Sequence, residues 1–201
     1  MRIVAVIRLL VALAGGTAIV ATLIDTASRT PINPFNFFGF FTMQSNILTV
    51  IMLLVAAIVG FAGRPHSAGF ALFRACVTTY IVVVGIVYNT LLIGLEGGIT
   101  LAWANTVLHV AIPLYVALDW IIVGDRPAIP WSKLWVVAVY PIVWIGVVLV
   151  RGATDGWVPY PFLDPALGYG VVAAYCIGIA VAIIAVGALV WWVSRIRLLR
   201  V

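Results

Sequence analysis

Six predominantly apolar stretches, each long enough to cross a lipid bilayer, constrain this chain more than any other feature. A helix needs roughly 20 apolar residues to span the hydrocarbon core. Ile3–Ile24, Phe37–Ala62, Ala71–Leu95, Leu101–Val123, Trp131–Val150 and Leu167–Val193 all qualify. They predict an all-α integral membrane protein, a single six-transmembrane-helix bundle over residues 1–201. Only 8% of the residues are charged, against about 25% in a soluble domain. So few charges cannot clothe a water-facing surface, and no length remains for a separate soluble module.

The first stretch opens Met1-Arg2, like a signal peptide. Its apolar run is too long for one, and no small-residue cleavage site precedes Asp25, so it is expected to be retained. Asn33-Pro34, Arg64-Pro65 and Arg126-Pro127 mark breaks between spans, because proline disrupts a helix interior. Asp164-Pro165 reads as the cap and first residue of the sixth helix, and Ser132 as a cap for the fifth. Cys76 and Cys176 fall at different depths and read as small core residues, not a disulfide.

Charge sets the expected orientation. With the N-terminus inside, the inner side holds Arg2, Arg8, Arg64, Arg74, Arg126, Lys133, Arg195, Arg197 and Arg200. The outer side holds only Arg29 and Arg151. The positive-inside rule then puts both termini in the cytoplasm. Asp25, Glu96, Asp155 and Asp164 fall outside, Asp119 and Asp125 inside. The formal charge of +5 is a topology signal; no basic cluster builds a nucleic-acid face. Arginine outnumbers lysine ten to one, the usage of a GC-rich genome, and a bacterial cytoplasmic membrane is the expected location.

Polar side chains in a bilayer face the bundle interior, so their depth and face are informative. Thr42, Ser45, Asn46 and Thr49 follow the i, i+3, i+4, i+7 spacing of one helical stripe. Asn105 and His109 share a face of the fourth span. At 1.5 Å rise per residue, Thr42 lies roughly 7–8 Å deep, Asn89 roughly 9 Å and His109 roughly 12 Å. Three helices thus bring Thr42, Asn46, Asn89, Asn105 and His109 into one outer-leaflet layer. The inner halves of the same helices read as aliphatic, and His66, between two arginines in an inner loop, reads as solvated.

Such a layer suits nucleophilic acyl transfer. A hydroxyl needs a base to remove its proton during attack, which assigns Thr42 as nucleophile and His109 as base. Asn46, Asn89 and Asn105, with Ser45 beside them, are candidate substrate or oxyanion contacts that bring no charge into the membrane. Glu96 or a backbone carbonyl is positioned to orient the imidazole. Arg151 at the outer boundary suits the carboxylate of an acidic lipid, or serves as an interface anchor. The segment 151–164 is rich in aromatics and proline, as an interfacial belt or a rigid cap over an outward cavity would be. Phosphate loops, hydrolase elbows and His- or Cys-rich metal motifs are lacking, so neither a metal nor a cofactor is expected.

At these residues the chain resembles a known group. Phe-Phe-Thr-Met-Gln-Ser-Asn at 40–46, Asn-Thr-Val-Leu-His at 105–109, Trp157 and Tyr-Pro-Phe-Leu at 160–163 carry the likeness. They resemble a prokaryotic six-span family and the androgen-induced and androgen-dependent TFPI-regulating membrane hydrolases. Gln44-Ser45-Asn46 departs from the eukaryotic members. The resemblance implies a threonine hydrolase of fatty acid esters of hydroxy fatty acids, with Thr42 and His109 as its catalytic pair. Its expected partners are membrane lipids and an amphiphilic lipid ester. The rival expectation is a non-catalytic lipid-binding or small-solute transport protein using the same layer. Pro113 and Pro141 occupy unequal places in the two halves, against a carrier built from inverted repeats.

Overall fold

The structure, a computed structural model, describes residues 2–94, 100–196, 198 and 199. Glu96, Arg197 and Arg200 lie outside the described residues. In chain order the helices are α1 (Arg2–Arg29), a short α2 (Pro34–Phe37), α3 (Phe41–Phe61) and α4 (Ala68–Val87). They continue with α5 (Ala102–Thr106), α6 (Ile112–Ile122), α7 (Val136–Thr154) and α8 (Tyr169–Val193). Two five-residue π-turns extend these rods: Tyr88–Leu92 prolongs α4, and Val107–Ala111 joins α5 to α6. Among the described residues six helices are long and apolar enough to cross a membrane, as the sequence predicts.

Small residues set the first helix pair. Ala5, Arg8, Ala12, Gly15, Ile19 and Thr22 are the buried seam of α1, spaced by threes and fours. This seam packs along α3. Lipid gives helices no hydrophobic reason to associate, so close backbone approach through Ala and Gly supplies the attraction. A Cβ on Gly15 would stand 2.8 Å from Ile112 Cδ1. Central α4 touches α3, α6, α7 and α8. By contrast α7 and α8 leave Ile142, Val143, Ile177 and Val181 exposed, a surface for lipid.

Three expectations about helix starts need correction. The second span is not continuous from Phe37. Asn33 caps α2, its side chain accepting from Phe35 N at 2.9 Å, and the chain is extended at Phe40 before α3 begins. Gly39 makes the break possible: a Cβ there would lie 2.6 Å from the Trp157 ring. Thr42 is therefore the second residue of α3 rather than the sixth of a longer helix. Asp164 caps only a 3-10 turn, Pro165–Leu167, and α8 starts after Gly168 at φ 82°. Ser132 sits inside another 3-10 turn and caps nothing, since the first residue before α7 is Trp135, which makes no side-chain cap.

The aliphatic inner half is the largest correction. Where α1 begins and α6 ends, Arg8, Arg74, Asp119 and Asp125 form a closed ionic network. Arg8 donates from Nε and Nη2 to Asp119 at 3.0 and 3.1 Å, and from Nη1 to Asp125 at 2.5 Å. Arg74 donates to Asp119 at 3.1 Å and to Asp125 at 2.9 Å. Burial by itself would raise the Asp125 carboxyl, but Arg74 and Arg8 outweigh it and hold it below the usual range. His66 is not solvated: it is 8% exposed, and its Nδ1 lies 2.6 Å from Arg74 Nη1. A guanidinium only donates, so Nδ1 accepts and the ring is neutral. Burial, then the Arg74 charge, lowers its pKa to about 4.

Candidate functional site

The polar stripe of α3 is buried as its spacing predicts: Thr42, Ser45, Asn46 and Thr49 are all enclosed. Thr42 differs from its fellow threonines. Thr22, Thr49, Thr79 and Thr90 each bond back to the carbonyl four residues earlier. That habit satisfies a hydroxyl inside lipid and leaves it inert. Thr42 has no preceding helical turn to bond to, because the break at 38–40 removes it. Its Oγ1 instead meets the Tyr160 hydroxyl at 3.3 Å, and its N–H donates to the same oxygen at 3.2 Å. Tyr160 is set among Phe40, Trp144 and Phe162 rings, and burial pushes its phenol well above the usual range, so it stays protonated.

His109 is placed by a proline. Pro113 has no N–H to give the carbonyl of His109 four residues back, and the rod relaxes into the π-turn Val107–Ala111. Neighbouring side chains serve the freed carbonyls: Asn89 Nδ2 approaches His109 O at 3.4 Å, and Asn46 Nδ2 approaches Leu108 O at 3.3 Å. Gly85 lets α4 close on this turn, since a Cβ there would stand 2.8 Å from Pro113. The Tyr88 ring stacks on the imidazole, centroids 4.0 Å apart. His109 Nδ1 donates to Asn105 O at 3.1 Å. A carbonyl cannot donate, so Nδ1 carries a proton, and in the neutral ring Nε2 keeps its lone pair.

Thr42 and His109 line one cavity of about 460 Å³, together with Met43, Tyr88, Asn105 and Tyr160. They make no direct hydrogen bond and stand as separate walls of it. A second cavity of about 120 Å³ shares Thr42 and Tyr160 and is otherwise apolar, lined by Val83, Val84, Ile142, Trp144 and Ile183. Thr42 thus stands between a space with polar walls and an apolar slot.

The other expected site residues divide. Asn105 lines the polar cavity; its amide pairs with the Tyr88 hydroxyl while Oδ1 has no partner. Amide oxygen and nitrogen are interchangeable by geometry, so either assignment leaves one polar atom of Asn105 free. Asn46 is off the wall, but its amide bonds both Thr42 O at 3.0 Å and Leu108 O, joining the backbones that carry the pair. Asn89 is exposed and acts on the His109 carbonyl. Ser45 is fully buried, with its hydroxyl unpartnered and away from the cavity. Arg151 is outside the cavity: it holds Asn36 at 2.8 Å and Asp155 at 2.8 Å and covers the Trp157 ring. The Asp155 carboxylate, held by Trp157 N–H and then Arg151, lies below its usual pKa. Arg29 takes the place expected of Arg151, lining the cavity beside Thr100 and pairing with Asp25.

Tyr88, Tyr160 and Arg29 are among the wall residues that the sequence did not assign to the site. Tyr160 belongs to the 160–163 motif, and its position in that motif was the available signal. Among the described residues no cluster of His, Cys, Asp or Glu has the form of a metal site. Comparison of the chain with protein-family models, with curated proteins and with solved structures finds no match in any of the three.

Proposed function

We propose that the chain is an intramembrane lipid ester hydrolase, acting on fatty acid esters such as esters of hydroxy fatty acids. One observation carries this reading: Thr42, spared its back-bond, and His109, with a bare Nε2, line the same cavity. In the proposed reaction Thr42 Oγ1 attacks the ester carbonyl carbon while His109 Nε2 takes the hydroxyl proton. The proton passes to the leaving alcohol, and water then cleaves the threonyl ester with the same nitrogen as base. Tyr160 O–H is the donor for the oxyanion, joined by Asn105 Nδ2 when the amide is turned so that Oδ1 accepts from the Tyr88 hydroxyl. Asn46 and Asn89 act by holding backbone. The acyl chain occupies the apolar slot, and Arg29 receives a carboxylate if the substrate bears one.

The proposed setting is a bacterial cytoplasmic membrane with both termini cytoplasmic, following the cation count. The polar cavity would then open toward the outer leaflet, and membrane lipids would be both solvent and substrate.

Hydrolysis of a long-chain ester by purified protein in nanodiscs, with Thr42→Ala and His109→Ala beside the wild type, tests the proposal. Each variant is expected to lose about 10²–10⁴-fold in turnover. Equal turnover in all three would sink the mechanism. A non-catalytic lipid-binding or small-solute transport protein is the second reading, favoured by the bond from Thr42 to Tyr160 rather than to His109. Ester bound by the wild type with no turnover would select that alternative.

A further inference from the structure

At the end of the bundle opposite Thr42 and His109, a cavity of about 460 Å³ opens beside the ionic network. Its walls include Arg8, Arg64, His66, Asp125 and Arg126. Charge in this region is unbalanced. Four guanidiniums, those of Arg8, Arg64, Arg74 and Arg126, face two carboxylates. Both oxygens of Asp119 and both of Asp125 are already taken by Arg8 and Arg74. Among the described residues no carboxylate lies within ion-pair distance of Arg126 or Arg64.

Arg126 is the sharper case. It is 3% exposed, and among the described residues no carboxylate pairs with it. Its Nη atoms donate to the carbonyls of Val123, Trp120 and Val193, and its plane lies 3.9 Å from the Trp120 ring centroid. These contacts fix the guanidinium in place at the ends of α6 and α8. Its Nε–H remains buried without a partner. Burial, then repulsion from Arg74, lowers its pKa to about 10, the mark of a cation short of a counter-charge. Arg64 reaches the same cavity from the α3–α4 turn, exposed, and its side chain makes no hydrogen bond among the described residues.

We propose that this cavity is a binding site for a phosphate-bearing anion, held between Arg126 and Arg64. Exposed Arg64 offers a free guanidinium fork that matches phosphate oxygens, and Arg126, its Nη atoms held by carbonyls, adds its charge from the cavity wall. A phospholipid headgroup from the adjoining leaflet and a free phosphate ester share this chemistry. The site is independent of the ester-hydrolase reading, since none of its residues lines the Thr42 cavity.

Binding of radiolabelled inorganic phosphate to the full chain in phosphatidylcholine nanodiscs tests the proposal. Saturable binding is expected, weakened about ten- to hundredfold by Arg126→Gln and by Arg64→Gln. Arg2→Gln, which removes an exposed cation off the cavity, should leave it unchanged. Arg64→Gln breaks no bond of the fold, so its result stands even if Arg126→Gln fails to fold. Displacement by phosphatidic acid in the disc, but not by soluble glycerol phosphate, identifies a lipid headgroup; the reverse identifies a soluble ester. Absence of saturable binding, or equal weakening by Arg2→Gln and Arg64→Gln, overturns the site.

Discussion

His109 Nδ1 donates to the backbone oxygen of Asn105, one turn earlier, at 3.1 Å. That bond selects a tautomer. With Nδ1 protonated, the ring offers Nε2 as a bare acceptor, the form a general base needs. Nitrogen-15 spectra of histidine-labelled protein should show one ring protonated at Nδ1 and absent from His109→Gln. The other histidine, His66, accepts at Nδ1 and should show the opposite tautomer. Two rings protonated at Nε2 would overturn the His109 assignment, and two protonated at Nδ1 that of His66.

Tyr160 holds Thr42 by two contacts, from N–H and at Oγ1. Tyr160→Phe keeps the ring and its packing on Phe40 and Phe162. It leaves the Thr42 N–H without that partner. Ester turnover is expected to fall about 10²-fold, as for loss of one oxyanion donor, while thermal stability falls by about 1 kcal/mol. A loss of stability with turnover intact would make the hydroxyl a packing contact only.

The grouping of Thr42 and His109 was legible because its signal is local. Thr42 to Thr49 lies within two helical turns, and Asn105 and His109 are one turn apart, so spacing alone put each set on one face. The ionic network was not, because its partners are distant in sequence: Arg8 meets Asp119 across 111 residues. Arg8 and Arg74 did carry a signal, lying inside apolar runs where a charge requires a partner. Counting them as insertion cations gave each a sufficient reason and hid the second. The break at 38–40 was likewise invisible, since it depends on Trp157 lying against Gly39.

Gly85 is where α4 closes on the π-turn that carries His109. Gly85→Ala would bring Cβ to 2.8 Å of Pro113 and 3.5 Å of His109 O. A pyrrolidine ring cannot rotate away, so the rods must separate, at a cost of about 1–3 kcal/mol. Thermal unfolding in detergent should record that loss. Ester turnover should fall as well, because the imidazole moves with the turn, whereas Gly146→Ala, in open space on α7, should change neither.

Asp119 bridges two buried arginines at once, sharing their neutralisation with Asp125. Asp119→Leu leaves Arg8 and Arg74 sharing Asp125 alone, an uncompensated charge, and is expected to cost about 3–5 kcal/mol. Arg8→Met combined with Asp119→Leu removes charge in equal measure and should recover most of that loss. Denaturant titration of the single and double variants measures the difference. A double variant no better than the single would show that the network is held by shape rather than by charge balance.

His66 makes this same end of the bundle sensitive to acid. Its folded pKa of about 4 lies below the ordinary 6.5. Above pH 6.5 the ring is neutral whether folded or unfolded, and stability is unaffected. Below it, the unfolded chain takes up a proton that the folded chain refuses, so stability falls with acidification down to about pH 4. The shift sets a ceiling of about 3 kcal/mol on that loss. Asp125 acts in a separate window: its depressed carboxyl stabilises the fold above the ordinary carboxylate range, and that contribution disappears only in stronger acid. His66→Gln keeps an acceptor for Arg74 and cannot titrate. Thermal midpoints measured across pH 7 to pH 4 should therefore slope in the wild type and flatten in His66→Gln. Parallel slopes would assign the acid sensitivity to another group.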